Sequence, residues 1–285
     1  MIRNFIGITL QFAFAVTGIV LLGCLPVLMD GNGISAFFHK TVDIAAGLLR
    51  PWEIAYVSGD VDVKLFPEFT DAIIYSFTLM GFAFLAALTV SIVLTVLTML
   101  LPLAVKERVK LFVYMTESIP DILVILLLQL FVITIYKQTG IKLTTVISIM
   151  DSKPYVLPII CLSVLPTIQL YRLSIYLFEE ELRKDYPLFA ASVGLKKAFI
   201  FIVHILRNIL VSLFYQSKTT IWFMLSNLLV LEHLFNIFGI THYVLKYMSP
   251  EVFTTALLAL FIPIFLFYKF GELLLENTVG RGEGI

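Results

Sequence analysis

The chain has 285 residues, 60% of them hydrophobic and only 14% charged, with a mean hydropathy of +0.98. That apolar share excludes an ordinary soluble domain and places the chain among polytopic membrane proteins. Lys and Arg together number 20, as do Asp and Glu, so no bulk electrostatic case for a nucleic-acid partner arises.

Residues 5–28, after Arg3, are long enough to cross a bilayer. A retained helix over 1–29 is the preferred reading. A cleaved signal peptide, or lipoprotein processing at the LLGC run ending in Cys24, are the alternatives. More membrane follows rather than a secreted domain, and Leu22 sits poorly beside the processing glycine. Cys24 and Cys161 both fall in apolar runs and read as buried thiols, not as a disulfide framework.

Residues 30–71 break the apolar pattern. They hold Gly31, Gly33, Gly47, Pro51, Gly59 and Pro67 with Asp43, Glu53, Asp60, Asp62 and Glu68. This composition predicts an extracytoplasmic loop region. Within it, 37–49 fits a short amphipathic helix at the membrane surface, with Trp52 and Tyr56 suited to the interface. Strands are expected near 54–57 and 61–65.

The apolar run 72–105 is too long for one perpendicular helix and predicts a tilted one. Lys106, Arg108 and Lys110 follow and mark the inner side. The next span is read at 111–136. Pro120 should kink or restart it. Glu117 and Asp121 stand one helical turn apart and line a cavity or sit at the inner interface. Residues 137–153 form an outer loop around Gly140. Residues 154–178 return inward, with Pro158, Pro166 and Gln169 inside the run, and Arg172 near its inner end snorkels or pairs.

The most charged stretch between two apolar runs carries Arg183, Lys184, Lys196, Lys197 and Arg207 and belongs in the cytoplasm. It contains a helix-sized unit near 187–194. Asp185 fits an N-cap, Pro187 a first turn, and Gly194 a left-handed stop. Ala190, Ala191 and Ser192 are small, so a helix with this face can approach another protein closely.

Residues 205–231 form an unusually polar span. Gln216, Thr220, Phe223 and Asn227 share one helical face, with Lys218 and Trp222 roughly opposite. A lysine near mid-membrane is costly unless it faces protein or water. Lys218 therefore serves either the pathway, hinting at an anionic group, or a structural ion pair. Residues 249–251 cap a last helix running to about 268, and 269–285 form a tail that Lys269 and Arg281 place in the cytoplasm. The whole reads as an all-α membrane bundle of about six transmembrane helices with both termini cytoplasmic.

The stretch ELRKDYPLFAASVG over 181–194, then HILRN over 204–208, resembles the coupling loop of ABC-importer permeases, in particular the dipeptide/oligopeptide branch. Ala190 and Gly194 match the alanine and glycine of that loop's signature, and His204, Leu206, Arg207 and Asn208 match the segment after it. Leu188 and Phe189 replace its usual polar and small residues. Weaker similarity lies at Ser118–Ile119–Pro120, Tyr171–Arg172 and 232–240, so the resemblance covers about 72–268. It implies the type I ABC-importer permease fold and a permease core over 72–268. It implies a coupling site at Asp185, Pro187, Leu188, Phe189, Ala190, Ala191, Ser192 and Gly194.

By the same resemblance, this subunit lines a translocation path with a second, different permease. Separate ABC ATPase subunits drive it, and an extracytoplasmic substrate-binding protein delivers peptides or a related small solute. Residues 30–71 then cover the outer face or dock that binding protein. Pathway or gate candidates are Glu117, Asp121, Gln216, Lys218, Thr220, Trp222, Phe223, Asn227 and Glu232. Trp222 and Phe223 replace the small residues of the branch and would narrow a peptide-sized passage. Glu232 belongs at the outer mouth, as gate or interface.

No enzyme site is legible. A phosphate-cradling glycine loop followed by Lys and Ser/Thr is missing from the sequence, so ATP and Mg belong to partner subunits and the chain binds no cofactor itself. His39, His204, His233 and His242 lack metal-ligand spacing. A secondary transporter or channel without an ATPase is the rival, but it needs an internal repeat or a self-contained charge pathway, and neither is seen. A permease-like sensor subunit is a further alternative.

Overall fold

A computed structural model describes residues 2–29, 33–58, 61–148, 153–247 and 249–279. Asp30, Gly31, Gly59, Asp60, Arg281 and Glu283 lie outside the described residues. Six helices among those described are long and apolar enough to cross a membrane. They are α1 (Ile2–Met29), α3 (Glu68–Leu100), α5 (Asp121–Thr139), α6 (Val156–Glu181), the rod Lys197–Leu234, and α11 (Pro250–Val279). Four shorter helices interleave with them: α2 (Gly33–Gly47), α4 (Leu103–Thr116), α7 (Asp185–Ser192) and α10 (Ile240–Lys246). The rod consists of α8 (Lys197–Phe199), a π segment (Ile200–Ile205) and α9 (Leu206–Leu234).

The chain divides into two compact units, Met1–Ser76 with Phe238–Ile285, and Phe77–Ile237. In the first, α1 packs on α11. A Cβ built on Gly23 would stand 1.8 Å from Thr254 Oγ1, so this close approach requires glycine. α2 folds back on α1 through a cluster of Val20, Cys24 and Ile44. The strands β1 (Ala55–Ser58) and β2 (Val61–Lys64) make an antiparallel hairpin with Ala55 opposite Lys64. Tyr56 stacks 4.0 Å from Tyr247. Burial, then a hydrogen bond with Tyr247, pushes the Tyr56 phenol up to about 12. Lys40 and Glu251 form an ion pair between α2 and α11. The Ile240 N–H donates to Ser76 Oγ at 2.9 Å, fixing the start of α10.

The hairpin lies within a residue of its expected place, whereas α2 begins four residues before 37. The last helix does not stop near 268. It continues to Val279, where Lys269 pairs with Glu272 at 2.9 Å one turn along.

In the second unit, the 72–105 run is not one helix. α3 ends at Leu100, and Pro102, with no N–H to give, opens α4. α4 carries Lys106, Glu107, Arg108 and Lys110, and residues 111–116, expected in the next span, belong to it. Pro120, at ψ 139°, then starts α5. Glu117 and Asp121 therefore do not share a helix: one caps α4 and the other opens α5. Gly140, at φ 72°, ends α5 by donating its N–H to the Tyr136 carbonyl at 2.8 Å. One apolar cluster, including Met99, Tyr171, Phe178, Ala190, Phe201 and Ile205, ties α3, α6, α7 and the π segment together.

Candidate functional site

The helix α7 is eight residues long, too short to persist without its caps and packing. Its N-cap is Lys184 rather than Asp185. Asp185 instead occupies the first turn, where its carboxylate complements the positive helix end. The C-terminus closes as a Schellman motif. Gly194, at φ 89°, donates to the Ala191 carbonyl at 3.0 Å, and Leu195 N–H donates to the Ala190 carbonyl at 3.2 Å. Only glycine takes that left-handed position without strain.

Which face α7 buries differs in part from the expectation: of its three small residues Ala190 turns inward, whereas Ala191 and Ser192 stay exposed. Pro187 and Ala190 point into the chain's own core, Ala190 being 8% exposed. The outward face is Leu188 (66% exposed), Phe189 (71%), Ser192 and Val193. The small Ala190 thus lets α7 lie close to its own bundle, and the exposed surface of α7 is mostly large and apolar. Successive helical residues are about 100° apart, so this choice turns on a single position.

Polar bonds fix α7 to its neighbours. Tyr186 Oη donates to Glu181 Oε2 at 2.6 Å, and Asn208 Nδ2 donates to Tyr186 Oη at 3.2 Å. Lys184 closes the group on the other Glu181 oxygen. Burial, followed by the bond to Glu181, pushes the Tyr186 phenol up to about 12, so it remains a donor at any physiological pH. Two residues back from Glu181 along α6, Glu179 receives both Lys106 (2.8 Å) and Lys110 (3.0 Å), clamping α4 to α6. Burial alone would lower the Lys110 pKa, but its bonds to Glu179 and Glu107 outweigh this and raise it.

A cavity of about 860 Å³ opens between α4, α6 and α9. Its polar walls come from Gln169 and Arg172 on α6, Gln216, Thr219 and Thr220 on α9, and the tyrosines 114, 176 and 215. The charges in it are paired. Arg172 donates to Glu117 Oε2 at 2.7 Å, and Glu179 is held by its two lysines. The lining is therefore hydrogen-bonding and aromatic, with little unpaired charge.

Of the expected pathway residues, Gln216, Thr220 and Phe223 line this cavity. Glu117 reaches it only through Arg172. Asp121, Lys218, Trp222, Asn227 and Glu232 are not in its wall. Lys218 instead places its ammonium 6.0 Å from the ring centroid of Tyr215. Trp222 is 56% exposed and is not part of this cavity's wall, although it follows Tyr215 and Thr219 along the same side of α9. Glu232 is 1% exposed, which fits neither an open mouth nor a bare surface.

Sequence reading passed over Tyr114, Tyr176, Tyr215 and Thr219 as site residues, and gave Gln169 and Arg172 no wall position. A signal was present: Gln169, Arg172, Tyr176 and Glu179 recur at i, i+3, i+7 and i+10 within an apolar run, marking one polar helical stripe. Among the described residues no His, Cys, Asp and Glu group is arranged to hold a metal.

Six apolar crossings, with a polar cavity between α4, α6 and α9 and a capped short helix at α7, are the features of a membrane permease. Residues 100–279 match the family described as the binding-protein-dependent transport system inner membrane component, and the chain belongs to that family. No curated protein matches the sequence. Membership makes the chain a permease subunit of an ABC importer, a multi-pass inner-membrane protein whose role is transport rather than catalysis. ABC importers of this family work with partner permease, ATPase and binding-protein components.

Proposed function

We propose that this permease carries peptides or a related small solute, and that α7 is the coupling helix receiving movement from separate ATPase subunits. The observation that carries this reading is continuity. The buried edge of α7 shares one apolar cluster with the π segment and with Ile209 and Leu213 of α9, and α9 walls the cavity. Displacing α7 thus displaces a cavity wall. A π segment between knob and wall is a natural place to absorb a change of register.

In this reading α7 and both termini are cytoplasmic. Arg183, Lys184, Lys196 and Lys197 surround α7, as the bias of basic residues to the inner side requires. The cavity is this chain's share of the translocation path. Its volume suits a solute of a few residues, and its paired charges favour neutral hydrogen-bonding groups over an anion. The other share comes from a second, different permease. Tyr215, Thr219, Trp222, Ser226, Leu229 and His233 form an exposed stripe along α9. Polar groups on a membrane-spanning helix call for protein or water opposite them, not lipid. ATP and Mg stay on the ATPases, and a binding protein delivers the solute from outside.

The test is Phe189→Asp in the intact transporter. Uptake and ATPase stimulation by the binding protein should be lost while the chain remains in the membrane at normal abundance. Retention of both defeats the coupling assignment. A cysteine placed at Ser192 should react only with reagents offered from the cytoplasmic side; both natural cysteines are buried and give little background.

A further inference from the structure

A second hollow, of about 500 Å³, lies beside α7 and is separate from the polar cavity. Met99, Leu103, Leu182, Ile200 and Phe201 give it apolar walls, completed by Leu188 and Ala191 of α7. Its two charged lining residues are Lys106 and Lys197. It sits where α3 ends and the Lys197–Leu234 rod begins, and both are ends of membrane-crossing helices. Helix ends that carry Lys106 and Lys197 suit the headgroup level, which is where the proposal below puts the hollow.

Water is a poor occupant of an apolar hollow. An amphiphile fits better. Lys106 uses one contact on Glu179 at 2.8 Å, and an ammonium has three donors to give. Lys197 holds its ammonium 5.2 Å from the Phe201 ring centroid, at the apolar wall. Two cations beside an apolar slot complement a phosphate joined to an acyl chain.

We propose that this hollow binds an anionic phospholipid of the surrounding membrane, its acyl chain against Met99, Leu103 and Ile200 and its phosphate on Lys106 and Lys197. Because Leu188 and Ala191 form part of the wall, the lipid steadies α7 in its seat. Membrane composition then sets how firmly the knob is held. This inference does not depend on the solute or on the coupling assignment, only on the hollow lying at the membrane boundary.

The experiment uses the intact transporter in nanodiscs, with photoactivatable phosphatidylglycerol or phosphatidylcholine carrying a diazirine in the acyl chain. Cross-links are mapped by mass spectrometry. Phosphatidylglycerol should label residues 99–106 and 182–201, and phosphatidylcholine should label them far less. Lys197→Gln should cut phosphatidylglycerol labelling about fivefold. Leu103→Trp, at a position 73% exposed and so free of a folding cost, should fill the slot and abolish labelling. Equal labelling by both lipids overturns the proposal, as does labelling indifferent to both substitutions. Labelling that appears only when the ATPases are stripped away also overturns it, since a protein partner then occupies the slot.

Discussion

Replacing Ala190 by Leu should loosen α7, whereas the same change one residue on should not. Ala190 is 8% exposed and sits in a cluster whose other members are tighter still: Ile205 at 0%, Phe178 at 0% and Phe201 at 2%. Ile200 and Phe201 also border the 500 Å³ hollow, so the cluster can yield in part. Forcing extra methylenes into such a site costs about 1–3 kcal/mol. Ala191 is exposed and opens onto the 500 Å³ hollow, so Ala191→Leu should fall within about 0.5 kcal/mol of neutral. The assay is amide hydrogen exchange at Val193, Gly194 and Leu195, whose N–H groups close the end of α7 on Phe189, Ala191 and Ala190. At about 1.4 kcal/mol per decade, exchange in the Ala190→Leu protein should quicken roughly 5- to 150-fold. Ala191→Leu should match the parent. If the two substitutions exchange alike, or if Ala191→Leu is the faster, the assigned inner face of α7 is wrong.

Gly23→Ala should disrupt the α1–α11 contact, costing about 1–3 kcal/mol, because its methyl would meet Thr254 Oγ1 at 1.8 Å. Thr254→Ala added to it should recover part of the loss, read as thermal unfolding in detergent. Charge reversal at Arg172 or Glu117 should each impair uptake, and the exchanged pair should recover; with Arg172 57% exposed on its side chain, the coupling should be only about 0.2–1 kcal/mol. Tyr56 and Tyr186 should ionise near pH 12, well above the ordinary value of 10.0. Their folded forms hold the proton more tightly, so the stability they contribute is whole below pH 10 and fades as pH climbs to 12. Ultraviolet titration should show the late phenolate signal shrinking in Tyr56→Phe and in Tyr186→Phe.

Much of this protein follows from its sequence read residue by residue. Hydropathy is a sum along the chain, so six crossings stand out without any knowledge of what packs against what. The end of α7 is equally local: Gly194 takes a left-handed φ that other residues resist, and the same holds for Gly140 after α5. The hairpin at 55–64 is marked by its own short alternating strands. Local chemistry misled where two signals competed. The apolar run 72–105 masks Pro102, which separates α3 from α4.

What the tertiary structure alone decided is which side each helix shows to what. Ala190 and Phe189 are neighbours in the chain, yet one fills the core and the other faces outward, because only the position of Ile200, Phe201 and Ile205 fixes the rotation of α7. Lys218 stands out in the sequence as a charge near mid-membrane, but the cavity lies around Gln216, Thr219 and Thr220, because α6 packs against another edge of α9 and α4 packs on α6. Pairing has the same origin: Glu179 meets Lys106 and Lys110 across a separation in sequence that no periodicity within one segment encodes. Hydropathy and backbone preference are properties of segments, whereas rotation, partner and cavity are properties of pairs of segments, settled only when they meet.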